Sequence, residues 1–206
     1  MNETFITFII PTLGRETLNR TIESLLKLND PDWSALIIFD GIKNNFNISD
    51  KRIKIIEIEK IGNNENKSSA GLVRNIGLMH SNKSEWIGFV DDDDCISPEY
   101  IDNLKIEINI NKNIDVCIFR MAYSNGYILP TMIDRNIIKN KVGISFAIKT
   151  DISTTNFFIN DLFEDYIYLK KLENKKYKIL ISSYVTYFVR TLPYECKFFP
   201  KILINK

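Results

Sequence analysis

EWIGFVDDDD, residues 85–94, runs an apolar segment (Trp86, Ile87, Phe89, Val90) straight into four consecutive aspartates, Asp91 to Asp94. A short continuous apolar run of this kind reads as a buried strand. Four carboxylates crowded at its end cannot all ionise in a dry site without a counter-cation. The acids are either a hydrated loop or ligands for a hard divalent ion such as Mg²⁺ or Mn²⁺, which takes carboxylate oxygens. Their position favours the second, because a strand driving into acids fixes them rigidly beside a cleft.

Outward from this segment, apolar strands alternate with helical patterns. Residues 5–10 (FITFII) form a strand closed by Pro11, and Leu18, Ile22, Leu25 and Leu26 recur at helical spacing until Pro31. Ala35 to Phe39 is a second strand ending at Asp40-Gly41, and residues 53–58 are a third. After a polar loop, Ser68 or Ser69 caps a helix with Leu72, Ile76 and Met79 on one face. Arg74 lies about 200° round from Leu72 and points away from that face, toward the cleft. Ser97-Pro98-Glu99 signals a further helix start, with Ile101, Leu104 and Ile108 on its buried face. The pattern predicts an α/β fold with a mostly parallel central sheet flanked by helices. In such sheets ligands sit outside the carboxyl ends of the strands, where Pro11, Thr12, Asp40 and Asp91 to Asp94 all fall.

Beyond residue 115 the pattern becomes mixed. Val116 to Phe119 and Val142 to Ile148 read as strands, Asn125-Gly126 as a hairpin turn, and residues 179–189 as a late strand. Asp161 to Glu164 looks like a capping box, with Tyr166, Leu169 and Leu172 following on one side.

The 206 residues suffice for one domain with a sizeable core. With 27 Lys and Arg against 26 Asp and Glu, no global field draws in nucleic acid or membrane. The three cysteines, Cys95, Cys117 and Cys196, lack zinc-site spacing and are expected as free thiols in a reducing compartment. No apolar run is long enough for a transmembrane helix, and the start lacks a basic leader region, so a cytoplasmic location is expected, with loose attachment to membrane-bound partners left open. The C-terminal run from Lys197 to Leu203 is compatible with an edge strand, a homo-oligomer contact or a membrane-proximal patch.

PTLGRETLNRTIESLL, LIIFDG, AGLVRNIG and EWIGFVDDDD, in this order over residues 5–110, resemble the nucleotide-sugar-binding half of a family 2 glycosyltransferase with the GT-A, Rossmann-like fold. The resemblance implies one domain: residues 1–110 bind the nucleotide-sugar donor, and residues 111–206, with mixed architecture, bind the acceptor. It implies a metal-dependent inverting transferase that moves a sugar from a UDP-sugar to a hydroxyl on a glycan, a lipid-linked sugar or a protein. The family's Asp-x-Asp element falls on Asp91-Asp92-Asp93. Asp93 then ligates Mn²⁺ or Mg²⁺, with Asp91 at the metal and near the ribose and Asp92 beside the cofactor. Pro11, Thr12 and Asp40 form the nucleoside pocket, although a single acid precedes Gly41 where the family often has two. Arg74 contacts the nucleotide. Glu164-Asp165 resembles the family's Glu-Asp pair, with Asp165 as base and Glu164 orienting it or the acceptor. Many relatives carry a metal-binding histidine after a late arginine; here Thr191 follows Arg190.

Two other functions fit parts of the pattern. An inactive relative would keep nucleotide or metal binding without turnover. A sugar nucleotidyltransferase would need a Gly-rich basic loop after the first strand, and PTLGRETL supplies one Gly and one Arg.

Overall fold

The computed structural model describes residues 4–61, 69–81 and 83–190. Ser68, Thr191, Cys196 and the run from Lys197 to Leu203 lie outside the described residues. The elements are β1 (Thr4–Thr12), α1 (Leu18–Leu26), β2 (Trp33–Asp40), β3 (Ile53–Ile58), α2 (Ala70–His80) and β4 (Ser84–Phe89), then β5 (Cys95–Ile96), α3 (Tyr100–Ile110), β6 (Val116–Tyr123), β7 (Ile128–Leu129), β8 (Phe146–Lys149), α4 (Thr150–Ser153), α5 (Glu164–Asn174) and β9 (Ile179–Val189).

One sheet takes the order β3-β2-β1-β4-β8-β6-β9-β5, with β7 added beside β6. The first four strands are mutually parallel, as the near-continuous apolar runs of β1, β2 and β4 predict. At the sheet edge, β3 alternates more and has no fully buried residue. β8 then pairs antiparallel with both β4 and β6, and β9 runs parallel to β6 and antiparallel to β5. The fold is thus α/β with a parallel half and a mixed half on one continuous sheet. Because β1, β2 and β4 are parallel, Thr12, Asp40 and the acids after Phe89 leave the sheet at one edge.

Several local expectations need correction. Pro11 stands inside β1, opposite Ile38. The pairing of β1 with β4 runs only to Ile9, so Pro11 lies where β1 has a ladder partner on one side, and its missing N–H is tolerated. On α2 the buried residues are Gly71, Val73, Arg74, Gly77 and Leu78, while Met79 is exposed. The Leu72/Ile76/Met79 stripe is therefore the outer face. Small residues decide this: a Cβ at Gly77 would collide with Ile9, so α2 lies tightly on β1. Arg74 does point away from the leucine stripe, but into the protein.

α3 begins at Tyr100 without a side-chain cap, and the Ser97 hydroxyl is buried without a partner. Val142 to Ile148 narrows to a strand over Phe146–Lys149. The Asp161–Glu164 capping box does not form either. Asp161 accepts the Phe163 amide at 2.9 Å, while Glu164 is the first residue of α5 and faces α2. Cys95 and Cys117 are buried free thiols.

Candidate active site

The acids after β4 divide by direction. Asp92 turns inward, is buried, and accepts the Thr12 Oγ1 hydroxyl at 2.7 Å. Thr12 Oγ1 in turn accepts the Gly14 amide at 2.9 Å, so the end of β1 and the acidic turn share one network. Asp91, Asp93 and Asp94 turn together, each offering a carboxylate oxygen within 4.8 Å of the others. Three hard oxygen donors at this spacing match what Mg²⁺ or Mn²⁺ takes, so the residues fit a divalent ion. Asp94, unassigned from sequence, is therefore part of the cluster.

The protein holds these carboxylates from several directions. Thr21 Oγ1 in α1 donates to the Asp94 carbonyl at 2.7 Å, and the Tyr187 hydroxyl in β9 accepts the Asp91 amide at 3.1 Å. The Arg190 amide donates to Asp94 Oδ1 at 2.9 Å. Burial, with the charge of Asp91, raises the Asp94 carboxyl to about 7; burial also raises Asp92, opposed by the Thr12 hydroxyl. Added positive charge at the cluster would lower both.

Asp40 ends β2 in a buried position, and its Oδ1 accepts the Ile61 amide at 2.6 Å. Gly41 follows with φ +77°, a backbone that any Cβ would strain. Asp40 thus fastens the chain after β3 to the same sheet edge.

Arg74 joins this edge to the second half of the sheet. It is 2% exposed, and its two terminal nitrogens donate to Asp91 and Glu164. Burial alone would lower its pKa; the charges of Asp91, Asp165 and Glu164 outweigh that and hold it above its ordinary value. Glu164 Oε2 also accepts the Gly71 amide at 2.7 Å, in the first turn of α2. Next to it, Asp165 lies 3.8 Å from Arg74 Nη1, with Oδ1 buried and without a hydrogen bond. Burial raises the Asp165 carboxyl to about 7, with Arg74 pulling the other way.

A clasp fixes the loop leading into α5. Asn75 Nδ2 donates to the Phe158 carbonyl at 2.9 Å, and Asn75 Oδ1 accepts the Phe158 amide at 2.8 Å. The Phe158 ring stacks on Tyr168 of α5 at 4.1 Å between centroids. α2 therefore grips the α5 region at Gly71, Arg74 and Asn75, and that grip sets where Asp165 sits.

The family model of glycosyl transferase family 2 matches residues 7–187. The chain belongs to glycosyl transferase family 2. A curated relative of this family 2 chain is an uncharacterized glycosyltransferase of Haemophilus influenzae, 27% identical over 111 residues; the match covers 53% of this chain and 36% of the relative. Among solved structures, S. aureus TarS 1-349 in complex with UDP-GlcNAc superposes with a TM-score of 0.69 at 20% identity, covering 90% of this chain and 58% of that one. Glucosyl-3-phosphoglycerate synthase from Mycobacterium tuberculosis, in complex with Mn²⁺, UDP and phosphoglyceric acid, gives 0.62 at 12% identity, covering 93% and 72%. The fold is therefore GT-A. The matched segment of this chain spans about a third of the length of the curated relative.

In this family 2 chain the structure brings Thr12, Arg74, Asp91 to Asp94, Glu164 and Asp165 into one connected network. Asp40 ends β2 at the same sheet edge, and Pro11 immediately precedes Thr12 in β1. Arg15, Thr21, Asn75 and Tyr187, none of them a sequence candidate for the transferase site, hold the acids or the α5 loop. Arg15 carried a signal, a lone cation just past β1 in a chain whose next strand end is acidic. Asn75 and Tyr187 carried none, because their partners lie 83 and 96 residues away.

Proposed function

We propose that this chain is a metal-dependent, inverting glycosyltransferase that moves a sugar from a UDP-sugar to a hydroxyl acceptor. One observation carries the reading. Arg74 ties the acidic cluster at the end of β4 to Glu164 and Asp165 at the start of α5, so a poised carboxylate lies beside a cation site. The UDP-GlcNAc complex of TarS and the Mn²⁺ and UDP complex of the mycobacterial synthase, on the same fold, support a UDP-sugar donor and a divalent ion here.

Asp91, Asp93 and Asp94 would hold the ion, which when bound supplies Lewis-acid charge for a departing diphosphate. Thr12 keeps Asp92 in the wall of the pocket. Asp40, with Pro11, frames the nucleoside side. Asp165 accepts the proton of the acceptor hydroxyl as its oxygen attacks the anomeric carbon opposite the leaving diphosphate. Glu164, fixed by Arg74 and the Gly71 amide, keeps Arg74 in place and so orients Asp165. Most of the rate enhancement then comes from positioning and fixed charge. The second half of the chain selects the acceptor, whether glycan, lipid-linked sugar or protein.

A panel of nucleotide-sugar donors with Mn²⁺ or Mg²⁺, read by released nucleoside diphosphate, tests this reading. Release with one donor class, abolished by Asp165→Asn, supports it. Tight UDP binding without turnover on any donor and acceptor would instead make the chain a nucleotide-binding module.

A further inference from the structure

The reading of Asp93 as a metal ligand meets a second fact: two guanidiniums already sit on it. Arg15 Nη1 and Arg190 Nε each lie 3.2 Å from the same atom, Asp93 Oδ2. Arg15 Nη2 also reaches Asp92 Oδ1 at 3.1 Å. The two arms come from distant places, Arg15 from the turn after β1 and Arg190 from the residue after β9. The backbone of Arg190 is anchored where it emerges. Its amide binds Asp94, and its φ of +52° is a left-handed conformation that non-glycine residues adopt rarely.

Both arms face solvent, with side-chain exposures of 52% for Arg15 and 76% for Arg190, against 17% for Asp93. Ion pairs this exposed are weak and easily exchanged. One carboxylate oxygen cannot serve two guanidiniums and a divalent ion together. A cation bound by either oxygen of Asp93 would repel both arginines and draw away the carboxylate charge that holds them. A diphosphate bridging to that cation would offer them another acceptor, one that suits the planar guanidinium fork.

We propose that Arg15 and Arg190 are exchangeable counter-charges. Before loading they neutralise Asp92 and Asp93; when a divalent cation takes Asp93 they turn to the diphosphate bound to it. The proposal rests on the metal reading given under Proposed function, but its test needs binding alone and no turnover. It demands effects of opposite sign. Without nucleotide the arginines compete with the cation, and with nucleotide they help to hold the ligand. A residue with a merely structural role would not move the two affinities in opposite directions.

The test measures Mn²⁺ affinity of the whole chain from the free-ion electron paramagnetic resonance signal, then UDP affinity at saturating Mn²⁺ by calorimetry. Arg190→Gln is expected to tighten Mn²⁺ binding about tenfold, because it removes one positive charge beside a doubly charged ion. The same variant is expected to weaken UDP binding about tenfold through loss of a charge-assisted hydrogen bond. Arg15→Gln is expected to shift both affinities in the same directions, and it decides the matter if Arg190→Gln fails to fold by circular dichroism. Mn²⁺ affinity unchanged or weaker in both variants overturns the proposal, as does unchanged UDP affinity in both. Absence of Mn²⁺ binding by every protein also overturns it, even if sugar transfer is seen. Lack of turnover on the donor panel would sink the transferase reading while leaving the two binding signs intact.

Discussion

Arg74 Nη1 lies 3.8 Å from Asp165 Oδ1, close enough to attract the carboxylate but without a hydrogen bond to it. Burial therefore prevails over the cation, and the Asp165 carboxyl rises from 3.8 to about 7. The rate of sugar transfer at saturating donor is expected to increase as pH rises through about 7, as the ionised base accumulates. A pH profile of kcat/KM for the acceptor checks this; a profile flat from pH 5 to 9 would remove Asp165 from the role.

Stability should move the opposite way at this residue. The folded state holds the Asp165 proton more tightly than the unfolded chain does, so ionisation charges a growing penalty to the fold between pH 3.8 and about 7. Asp165→Asn removes that penalty. The variant is expected to be at least as stable as the parent at pH 8 by urea denaturation, to retain UDP binding, and to transfer sugar about 10²–10⁴-fold more slowly.

Substitution of Arg74 should be felt first in folding. Arg74→Met leaves Asp91 and Glu164 buried or half-buried without their shared cation, a loss of about 3–5 kcal/mol. Chemical denaturation at pH 7.5 measures it. Glu164→Gln in the Arg74→Met background should recover part of the loss, because it removes one of the stranded charges.

Gly71 is expected to tolerate no side chain. A Cβ there would run into the Glu164 carboxylate and the Phe158 side chain. Gly71→Ala should cost about 1–3 kcal/mol of stability through overpacking. It should also depress transfer by shifting Glu164 away from Arg74, with little change in UDP affinity.

The acids after β4 should separate by orientation. Asp93→Ala is expected to abolish Mn²⁺-dependent UDP binding, measured by calorimetry. Asp92→Asn, whose side chain faces Thr12 and Arg15, should keep Mn²⁺ binding, since its amide oxygen can still accept the Thr12 hydroxyl. Equal loss of Mn²⁺ binding in both variants would contradict the division.

The strands that were legible in sequence are those rich in β-branched and aromatic residues, whether central or, like β3, at the sheet edge with no fully buried residue. β3 and β9 occupy the expected spans, and β2 extends its apolar core by a few residues, because short segments this rich in β-branched and aromatic residues have few alternatives. The face of α2 was misread because apolar periodicity counts Leu72 and Met79 as inward. Here the inner stripe is built from glycines and a buried arginine, whose burial depends on acids from β4 and α5. The Glu-Asp pair was visible, but its apparent capping pattern concealed that Glu164 reaches across to another helix. Asp94 was beyond reach for a similar reason: its partners, Tyr187 and the Arg190 amide, come from the far end of the chain.

The Asn75 clasp has a mechanical consequence. A side-chain amide that both donates to and accepts from one backbone residue acts as a single rung of a ladder between α2 and the loop before α5. α2 is also seated on β1 through Gly77, and the sheet runs unbroken from β3 to β5. Among the described residues, the two halves are thus bolted together at their boundary rather than joined by a hinge. Access for a bulky substrate has to come from surface turns and exposed arms, not from the halves opening like jaws.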